Sequence, residues 1–93
     1  MRRIEPTTQF KHDYKREAKS QYRTTLDTEM KPVLQALAND EALEPRHRDH
    51  ALTGEWKDHR DCHIKPDLEL IYRKPDAATL QLVRLGSHSE LGL

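Results

Sequence analysis

The sequence predicts a small α+β domain, in which a short N-terminal strand and two helices pack on an antiparallel sheet of about four strands. Two helical apolar stripes lie in the first half of the chain, and three strand-like runs separated by turns lie in the second half. A length of 93 residues leaves room for one hydrophobic core, so residues 1–93 are expected to form a single domain.

The N-terminal segment predicts a strand followed by a basic amphipathic helix. Residues 2–5 read as a strand that ends at Pro6, and the two threonines that follow offer an N-cap for a helix beginning near Gln9. Apolar side chains then recur at every fourth position, as on one helix face: Phe10, Tyr14, Ala18 and Tyr22. The other faces are basic: Lys11, Lys15, Arg16, Lys19 and Arg23. The stripe predicts a helix that continues to Tyr22.

A second helix is predicted from another apolar stripe. Asn39 and Asp40 are expected to end this helix. The stripe consists of Leu26, Met30, Val33, Leu34 and Leu37. Because proline is tolerated in the first turn of a helix but disfavoured in its interior, Pro32 predicts that the regular helix begins around Asp27 or Thr28.

The rest of the chain predicts a long loop and a three-stranded meander. Residues 40–58 show neither the helical nor the strand period, and loops of this length are often functional. Strands are predicted at residues 59–64, 68–74 and 79–85, joined by turns at 65–67 and 75–76. The helices would cover one face of this sheet and leave the other partly open beside the loop.

Charge and cysteine content exclude several classes of protein. Sixteen basic and sixteen acidic residues give no net charge, which alone points to neither nucleic acid nor an anionic membrane. Residues 1–23 nevertheless carry seven basic and three acidic side chains, whereas residues 24–45 carry one and five. No apolar run approaches the roughly 20 residues that span a bilayer, and the lone Cys62 cannot form an internal disulfide. We therefore expect a cytoplasmic protein without membrane contact.

Five polar side chains near the open face could carry chemistry: His50, His63, Asp67, Arg84 and His88. The chain has no Gly-rich phosphate loop, Cys-x-x-Cys pair or H-E-x-x-H motif, so nucleotide hydrolases, zinc fingers and zincins lack support. Imidazoles, a carboxylate and a guanidinium suit metal-free RNA cleavage, in which one group takes the 2′-hydroxyl proton and another protonates the departing 5′-oxygen. The spacing of these residues is only weakly specific for that chemistry.

The histidines also have simpler interpretations. His12, His47 and His59 are expected to be solvated, as histidines in charged segments usually are. A metal site is an alternative, because His59 and His63 are spaced to share one strand face.

Structural roles also compete for four other residues. Asp67 suits the turn in which it lies, because Asp bonds its own backbone there. Trp56 is expected to cover the edge of the core, and Cys62 to fill a small space inside it. Arg84 is either a covered side chain at a strand end or a phosphate contact.

Four segments of the chain, in order, closely resemble the YafQ branch of the RelE/ParE toxin superfamily. They read RDHALTGEWK over residues 48–57, RDCHIKPDL over 60–68, LIYR over 70–73 and VRLGSHSEL over 83–91. A looser match covers Thr8, Phe10, Lys11, Asp13 and Lys15. The resemblance implies a small RelE-like fold and a toxin of a bacterial type II toxin–antitoxin pair.

The resemblance further implies an endoribonuclease that enters the A site of the 70S ribosome and cuts mRNA there without a metal or other cofactor. The implied partner is a DinJ-like antitoxin, which neutralises the toxin and represses the operon, so that operator DNA is reached only through the antitoxin. We expect the antitoxin to be acidic or amphipathic and to wrap the basic first helix.

The resemblance implies a catalytic set of four residues, and this chain has all of them. They are His50, His63, Asp67 and His88. The resemblance favours Asp67 and His88 as the acid–base pair, with His50 and His63 positioning and neutralising the scissile phosphate. Arg84 and Lys65 are the expected substrate-binding residues.

Two departures from the family favour an alternative function. Gly92 and Leu93 stand where the family usually has an aromatic residue that stacks on the mRNA base, and the chain is neutral although such toxins are usually basic. The alternative is a catalytically weakened homologue that acts mainly as antitoxin-binding partner and co-repressor. Gyrase poisoning, known from relatives with this fold, is less favoured because the matching histidines are of the nuclease type.

Overall fold

The protein folds as a five-stranded sheet with two helices on one face, and the computed structural model describes all 93 residues. The elements are β1 (Arg3–Pro6), α1 (Thr8–Glu17), α2 (Leu26–Ala38), β2 (His50–Ala51), β3 (Arg60–Lys65), β4 (Leu68–Arg73) and β5 (Thr79–Gly86). The strand order is β1-β5-β4-β3-β2, with β1 parallel to β5 and every other pair antiparallel. The predicted α+β class and the meander are confirmed.

Helix α1 starts as predicted but ends earlier. The hydroxyl of Thr7 caps it by accepting a hydrogen bond from the Phe10 N–H at 3.1 Å. The prediction that this helix continues to Tyr22 is wrong, because α1 ends at Glu17 and a series of turns follows. One competing interaction is the hydroxyl of Ser20, which donates to the Glu17 carbonyl at 2.7 Å. Tyr22 still packs against the core from the turn.

Helix α2 begins at Leu26, so the predicted start at Asp27 or Thr28 is wrong and Pro32 lies inside the helix. Proline removes the N–H that would bond to the Thr28 carbonyl, but both residues are exposed and water can reach that carbonyl. Leu26 is only 2% exposed. Burial of this side chain anchors the extra first turn.

Residues 40–58 were predicted to form a loop without regular structure, and this prediction is wrong. The segment contains two 3₁₀ turns (Pro45–His47 and Gly54–Trp56) and strand β2. Strand β2 adds a fifth strand to the roughly four that were predicted. A two-residue strand is too short to show an alternating pattern in the sequence. Its pairing with β3 sets His50 directly opposite Asp61, which brings the loop to the sheet.

The hydrophobic core lies between the helices and one face of the sheet and contains Cys62, Leu70 and Tyr72. Cys62 is fully buried, as predicted. Since side chains alternate along a strand, Asp61 and Glu69 point to the opposite face. The helices therefore cover one face of the sheet, as predicted, and the second face carries these two acidic side chains. Neither helix has the length and apolar character that crossing a bilayer requires.

Candidate active site

Three histidines from different elements meet around two buried carboxylates on the second face of the sheet. His50 lies in β2, His63 lies in β3, and His88 follows β5. The carboxylates belong to Asp61 of β3, which is fully buried, and Glu69 of β4, which is 2% exposed. We call these five residues the histidine–carboxylate cluster.

Each carboxylate is shared between two imidazoles. Glu69 Oε2 accepts a hydrogen bond from His88 Nδ1 at 3.2 Å, and Glu69 Oε1 lies 3.5 Å from His63 Nε2. Asp61 Oδ2 lies 3.8 Å from His63 Nε2 and 3.9 Å from His50 Nε2. The two carboxylates thereby link all three histidines.

Backbone carbonyls orient the rings of His50 and His63. His50 Nδ1 lies 2.7 Å from the Arg48 carbonyl oxygen, and His63 Nδ1 lies 3.3 Å from that of Pro66. Because a carbonyl can only accept, Nδ1 carries the proton and donates in both contacts. The Nε2 atoms, which face the carboxylates, are therefore the atoms that can exchange a proton or bind a cation.

Asp61 is the least satisfied polar group of the cluster. Neither of its side-chain oxygens has a hydrogen-bond partner. Burial raises the pKa of Asp61 to about 8, and the neighbouring negative charge of Glu69 adds to the shift. Burial and the charge of Glu69 thus both favour the protonated form of this carboxyl group.

The sequence analysis did not single out either carboxylate. Glu69 interrupts the otherwise apolar run from Leu68 to Tyr72. A lone acid in such a strand is the signal that could have found it, because a charge is rarely buried without a partner. Asp61 precedes Cys62 in a mixed strand and gave no comparable signal.

Asp67 lies outside the cluster, although it was predicted to act with His88. It is exposed in the β3–β4 turn, and no hydrogen bond or ion pair engages its carboxylate. Lys65, predicted to bind substrate, ends β3 with its Nζ 4.0 Å from Glu29 Oε1. The structure thus assembles three of the four predicted catalytic residues and leaves Asp67 beside them, in the turn that follows His63.

Arg84 is held by a buried carboxylate on α1. Its Nε donates to Asp13 Oδ2 at 2.7 Å, and the same oxygen accepts the backbone N–H of Leu85 at 3.0 Å. Burial opposes ionisation of Asp13, but the bonds from Arg84 and Leu85 outweigh it and lower its pKa. The Arg84 side chain is 24% exposed. Its Nη2 also lies 3.5 Å from Asp13 Oδ1, so the side chain is largely covered and anchored.

A cavity of about 550 Å³ lies beside the cluster, bordered by His50, His88, Trp56 and Leu93. This volume falls within the range of about 300–1,000 Å³ that is typical of ligand sites. Trp56 was predicted to cover the edge of the core. It instead lines this cavity, half-buried and edge-on to the His59 ring at a centroid distance of 5.4 Å.

The remaining histidines differ in their surroundings. His12 is exposed as predicted, whereas His47 is only 6% exposed, so its predicted solvation is wrong. Its Nδ1 lies 2.6 Å from the His63 carbonyl oxygen, which ties the loop to β3. His59 is half-buried, and its Nδ1 bonds the Lys57 carbonyl at 3.0 Å.

The structure groups possible metal ligands differently from the predicted pair of His59 and His63. Asp61, His63 and Glu69 each offer one ligand atom, and these atoms lie within 4.8 Å of one another. His59 lies before β3, against Trp56. The candidate ligand group thus lies within the histidine–carboxylate cluster.

Comparison with known proteins identifies the family. A sequence profile described as the bacterial toxin of the type II toxin–antitoxin system, YafQ, matches residues 2–92. This chain belongs to the YafQ toxin family. It is 35% identical over 91 residues to the mRNA interferase toxin YafQ of Escherichia coli strain B, covering 97% of this chain and 95% of that protein.

Solved structures of toxins share the whole fold. A copper-bound mutant toxin from Helicobacter pylori is 40% identical, with a TM-score of 0.88 over 98% of this chain and 99% of that one. YafQ in the Escherichia coli DinJ–YafQ complex is 34% identical, with a TM-score of 0.80 over 98% of both chains. The similarity therefore includes every element that positions the histidine–carboxylate cluster.

Proposed function

We propose that this protein is the toxin of a type II toxin–antitoxin pair and an endoribonuclease that cleaves mRNA in the ribosomal A site. The observation that carries the proposal is the meeting of His50, His63 and His88 around buried carboxylates beside an open cavity. The similarity to an mRNA interferase toxin supports the substrate. The reaction is general acid–base catalysis, for which the cluster needs no metal.

In the proposed reaction the 2′-oxygen of a ribose attacks the adjacent phosphorus atom, and the bond from phosphorus to the 5′-oxygen breaks. A base takes the 2′-hydroxyl proton, and an acid supplies a proton to the leaving oxygen, so protons balance over the step. The products are a 2′,3′-cyclic phosphate and a free 5′-hydroxyl. The negative charge that develops on the phosphorane requires nearby cations.

His88 is the proposed acid, because Glu69 accepts its Nδ1–H and so orients the ring, with Nε2 as the atom that donates. Asp67 is the proposed base, since its exposed carboxylate has no partner to displace. His50 and His63, whose Nε2 atoms both lie near Asp61, are the residues proposed to hold the scissile phosphate in place and to neutralise its charge. Arg84, anchored by Asp13, and Lys65 are the proposed phosphate contacts.

The test is primer extension on a defined mRNA programmed on ribosomes. The wild type should cut within A-site codons, and His88→Ala and Asp67→Ala should abolish the cuts. His12→Ala, which removes an exposed imidazole outside the cluster, is the matched control and should cut normally. Cleavage that persists in both site variants would exclude this site. If the wild type leaves the mRNA uncut but still binds a protein partner, the result would favour the alternative function, a catalytically weakened homologue that acts as co-repressor.

The proposed partner is a DinJ-like antitoxin, and operator DNA is reached only through it. The DinJ–YafQ complex of Escherichia coli contains a toxin of the same fold over 98% of this chain. A protein encoded beside this chain should therefore co-purify with it at fixed stoichiometry. The complex, but not the toxin alone, should bind the operator.

Transition-metal binding at the cluster is a second candidate function. His50 and His63 donate Nδ1–H to carbonyls, an arrangement that metal-binding histidines commonly have, and Asp61 has two buried oxygens without partners. The copper-bound Helicobacter pylori relative supports this candidate. A bound cation would occupy the His63 Nε2 and so inhibit cleavage. Calorimetry with Cu²⁺ and Zn²⁺ tests it: stoichiometric binding should be lost in Asp61→Asn, and no binding to the wild type would exclude it.

A further inference from the structure

The turn that carries His88 is closed by a reciprocal pair of hydrogen bonds. The N–H of Glu90 donates to the Ser87 hydroxyl at 3.2 Å, and Glu90 Oε1 accepts the N–H of Ser87 at 2.9 Å. Such a pair, formed by a serine and a glutamate three residues apart, is a capping box. We call residues 87–90 the C-terminal box. His88 lies between its two bonded ends.

The C-terminal box is anchored at both ends. Gly86, the last residue of β5, pairs with Glu69 in the register of the sheet, so the box begins opposite the carboxylate that bonds His88. At the other end Leu91 is buried, and its N–H donates to the Ser87 carbonyl at 3.1 Å. The backbone of the box therefore has a defined place beside the histidine–carboxylate cluster.

Arg16 of helix α1 joins the box to the body of the protein. Its Nη2 donates to the Leu85 carbonyl at 2.9 Å, and its Nε lies 3.5 Å from Glu90 Oε2. The same guanidinium also donates to Asp13 and Glu17, two buried acids of α1. Arg16 thus contacts the end of β5 and the last residue of the box at once.

This close approach of Arg16 depends on Gly86. A Cβ built on Gly86 would lie 3.0 Å from Arg16 Nη2 and 3.3 Å from Glu90 Oε1, closer than ordinary van der Waals contact. A larger side chain at this position would push the guanidinium and the carboxylate aside. The glycine therefore makes room for the contact between α1 and the box.

The carboxylate of Glu90 is charged and already ordered when it meets Arg16. The hydrogen bond from the Ser87 N–H lowers the pKa of Glu90, and the charge of Arg16 adds to the shift. An exposed ion pair usually contributes little, in part because two long side chains lose their freedom. Here the box has already fixed one of the two, so the pair with Arg16 costs less entropy.

We propose that Arg16 and Glu90 are positioning residues for His88. They hold the C-terminal box against α1, so that Nδ1 of His88 stays on Glu69 and its Nε2 stays on the cavity side. This inference rests on the role of His88 as acid in the proposed function and adds what keeps that residue in place. The support is needed because a single hydrogen bond of 3.2 Å to Glu69 holds an otherwise exposed ring.

Two other roles for Arg16 would have different signatures. If Arg16 bound the substrate phosphate directly, its loss would raise KM. If Arg16 only stabilised the fold, its loss would lower the free energy of unfolding and leave the His88 ring unchanged. Loss of positioning instead lowers kcat and leaves KM nearly constant, because the proton that His88 donates is needed only in the transition state.

The first experiment measures kcat and KM by primer extension on mRNA programmed on ribosomes. Arg16→Gln removes the guanidinium, and Glu90→Ala opens the box. Arg16→Lys keeps a positive charge and should restore part of the kcat that Arg16→Gln loses. Lys19→Gln and Glu41→Ala are the matched controls, since each removes an exposed charge that forms no ion pair. Urea unfolding confirms that each variant is folded.

The second experiment observes the His88 ring without any activity. Long-range proton–nitrogen NMR spectra distinguish the Nδ1–H and Nε2–H tautomers of a neutral imidazole, and His88→Gln assigns the signal. The wild type should show the Nδ1–H tautomer, because Glu69 accepts from that atom. Arg16→Gln and Glu90→Ala should move the signal toward the mixture of tautomers of a free imidazole.

We expect Arg16→Gln and Glu90→Ala each to lose about threefold to tenfold in kcat, less than a direct partner of His88 would, because they act one contact further away. The double variant should lose little more than either single variant, since both act on the same box. The controls should match the wild type in kcat and in the His88 signal.

An unchanged kcat and an unchanged His88 signal in the folded variants would overturn the proposal. A rise in KM alone would also overturn it and would make Arg16 a substrate contact. A wild type that cuts no mRNA would overturn the proposed function instead, and the His88 signal would still decide whether Arg16 and Glu90 position the ring.

Discussion

Glu69 Oε2 accepts a hydrogen bond from His88 Nδ1 at 3.2 Å, although Glu69 is buried in the sheet and the His88 side chain is 69% exposed. The contact joins a buried group to an exposed one. An imidazole on an exposed C-terminal segment would otherwise sample many orientations. The carboxylate therefore fixes Nδ1 of His88 as the nitrogen that faces the sheet and leaves Nε2 for the cavity side.

Glu69→Gln should lower kcat by about 10–100-fold, the usual effect of removing a group that orients a functional histidine. The amide keeps the size of the side chain but loses the negative charge that accepts the His88 Nδ1–H. Glu55→Gln is the matched control, because this exposed acid borders the same cavity without contacting a histidine. An unchanged kcat would show that His88 acts without Glu69.

The main elements of the fold could be predicted because each has a strong local pattern. The four-residue stripe located α1, and the turns at Pro66 and Pro75 separated the strands of the meander. The end of α1 could not be predicted, since the stripe continues through Tyr22 while the Ser20 hydroxyl bonds the Glu17 carbonyl. Pattern indicates which side chains are buried, but not whether a helix or a turn buries them.

The candidate site was predictable only in part, for a similar reason. The histidines carry recognisable chemistry and a family resemblance, so His50, His63 and His88 were found. The carboxylates that organise them, Asp61 and Glu69, depend on cross-strand pairing between β3 and β4. Sequence alone does not fix that register, and β2, which brings His50 opposite Asp61, has only two residues.

Stability of the metal-free protein should fall as the pH rises from about 4 to about 8. The pKa of Asp61 is raised from 3.8 to about 8 in the folded state, so the folded chain binds this proton more tightly than the unfolded chain. Its stabilising contribution is complete below the unfolded pKa and is lost as pH rises through the folded pKa. Asp61→Asn should remove this dependence and be more stable than the wild type at pH 8.

Urea unfolding at pH 5 and pH 8, in the presence of a chelator, checks this prediction. Asp58→Asn is a suitable control, because it removes an exposed acid and asparagine tolerates the positive φ of 67° at that position. A pH dependence that is the same in Asp61→Asn and the wild type would show that Asp61 is ionised in the folded protein.

Asp13→Ala should destabilise the fold by about 2–5 kcal/mol, because it leaves the Leu85 N–H and the Arg84 guanidinium without their buried acceptor. Asp13→Asn should cost less, since its amide oxygen can still accept one of these bonds. Chemical denaturation measures both, with Glu41→Ala, an exposed acid, as the control. A loss below 1 kcal/mol in Asp13→Ala would mean that water replaces the carboxylate.

Restoring an aromatic side chain beside the cluster should tighten the binding of mRNA. Leu93 borders the cavity with His50 and His88, so Leu93→Phe places a ring where a base can stack. Stacking contributes about 1–3 kcal/mol per base, which corresponds to a KM lower by about fivefold to a hundredfold. Because stacking binds substrate and transition state alike, kcat should change little.

The neighbouring position separates the stacking effect from a change in folding. Nothing lies within 4 Å of a Cβ built on Gly92, but its φ is +72°, a conformation that costs other residues about 1–2 kcal/mol. Gly92→Phe should therefore reduce stability while adding the same ring, whereas Leu93→Phe should not. If ribosome-dependent cleavage by Leu93→Phe showed the wild-type KM, the missing aromatic residue would not be what limits mRNA binding.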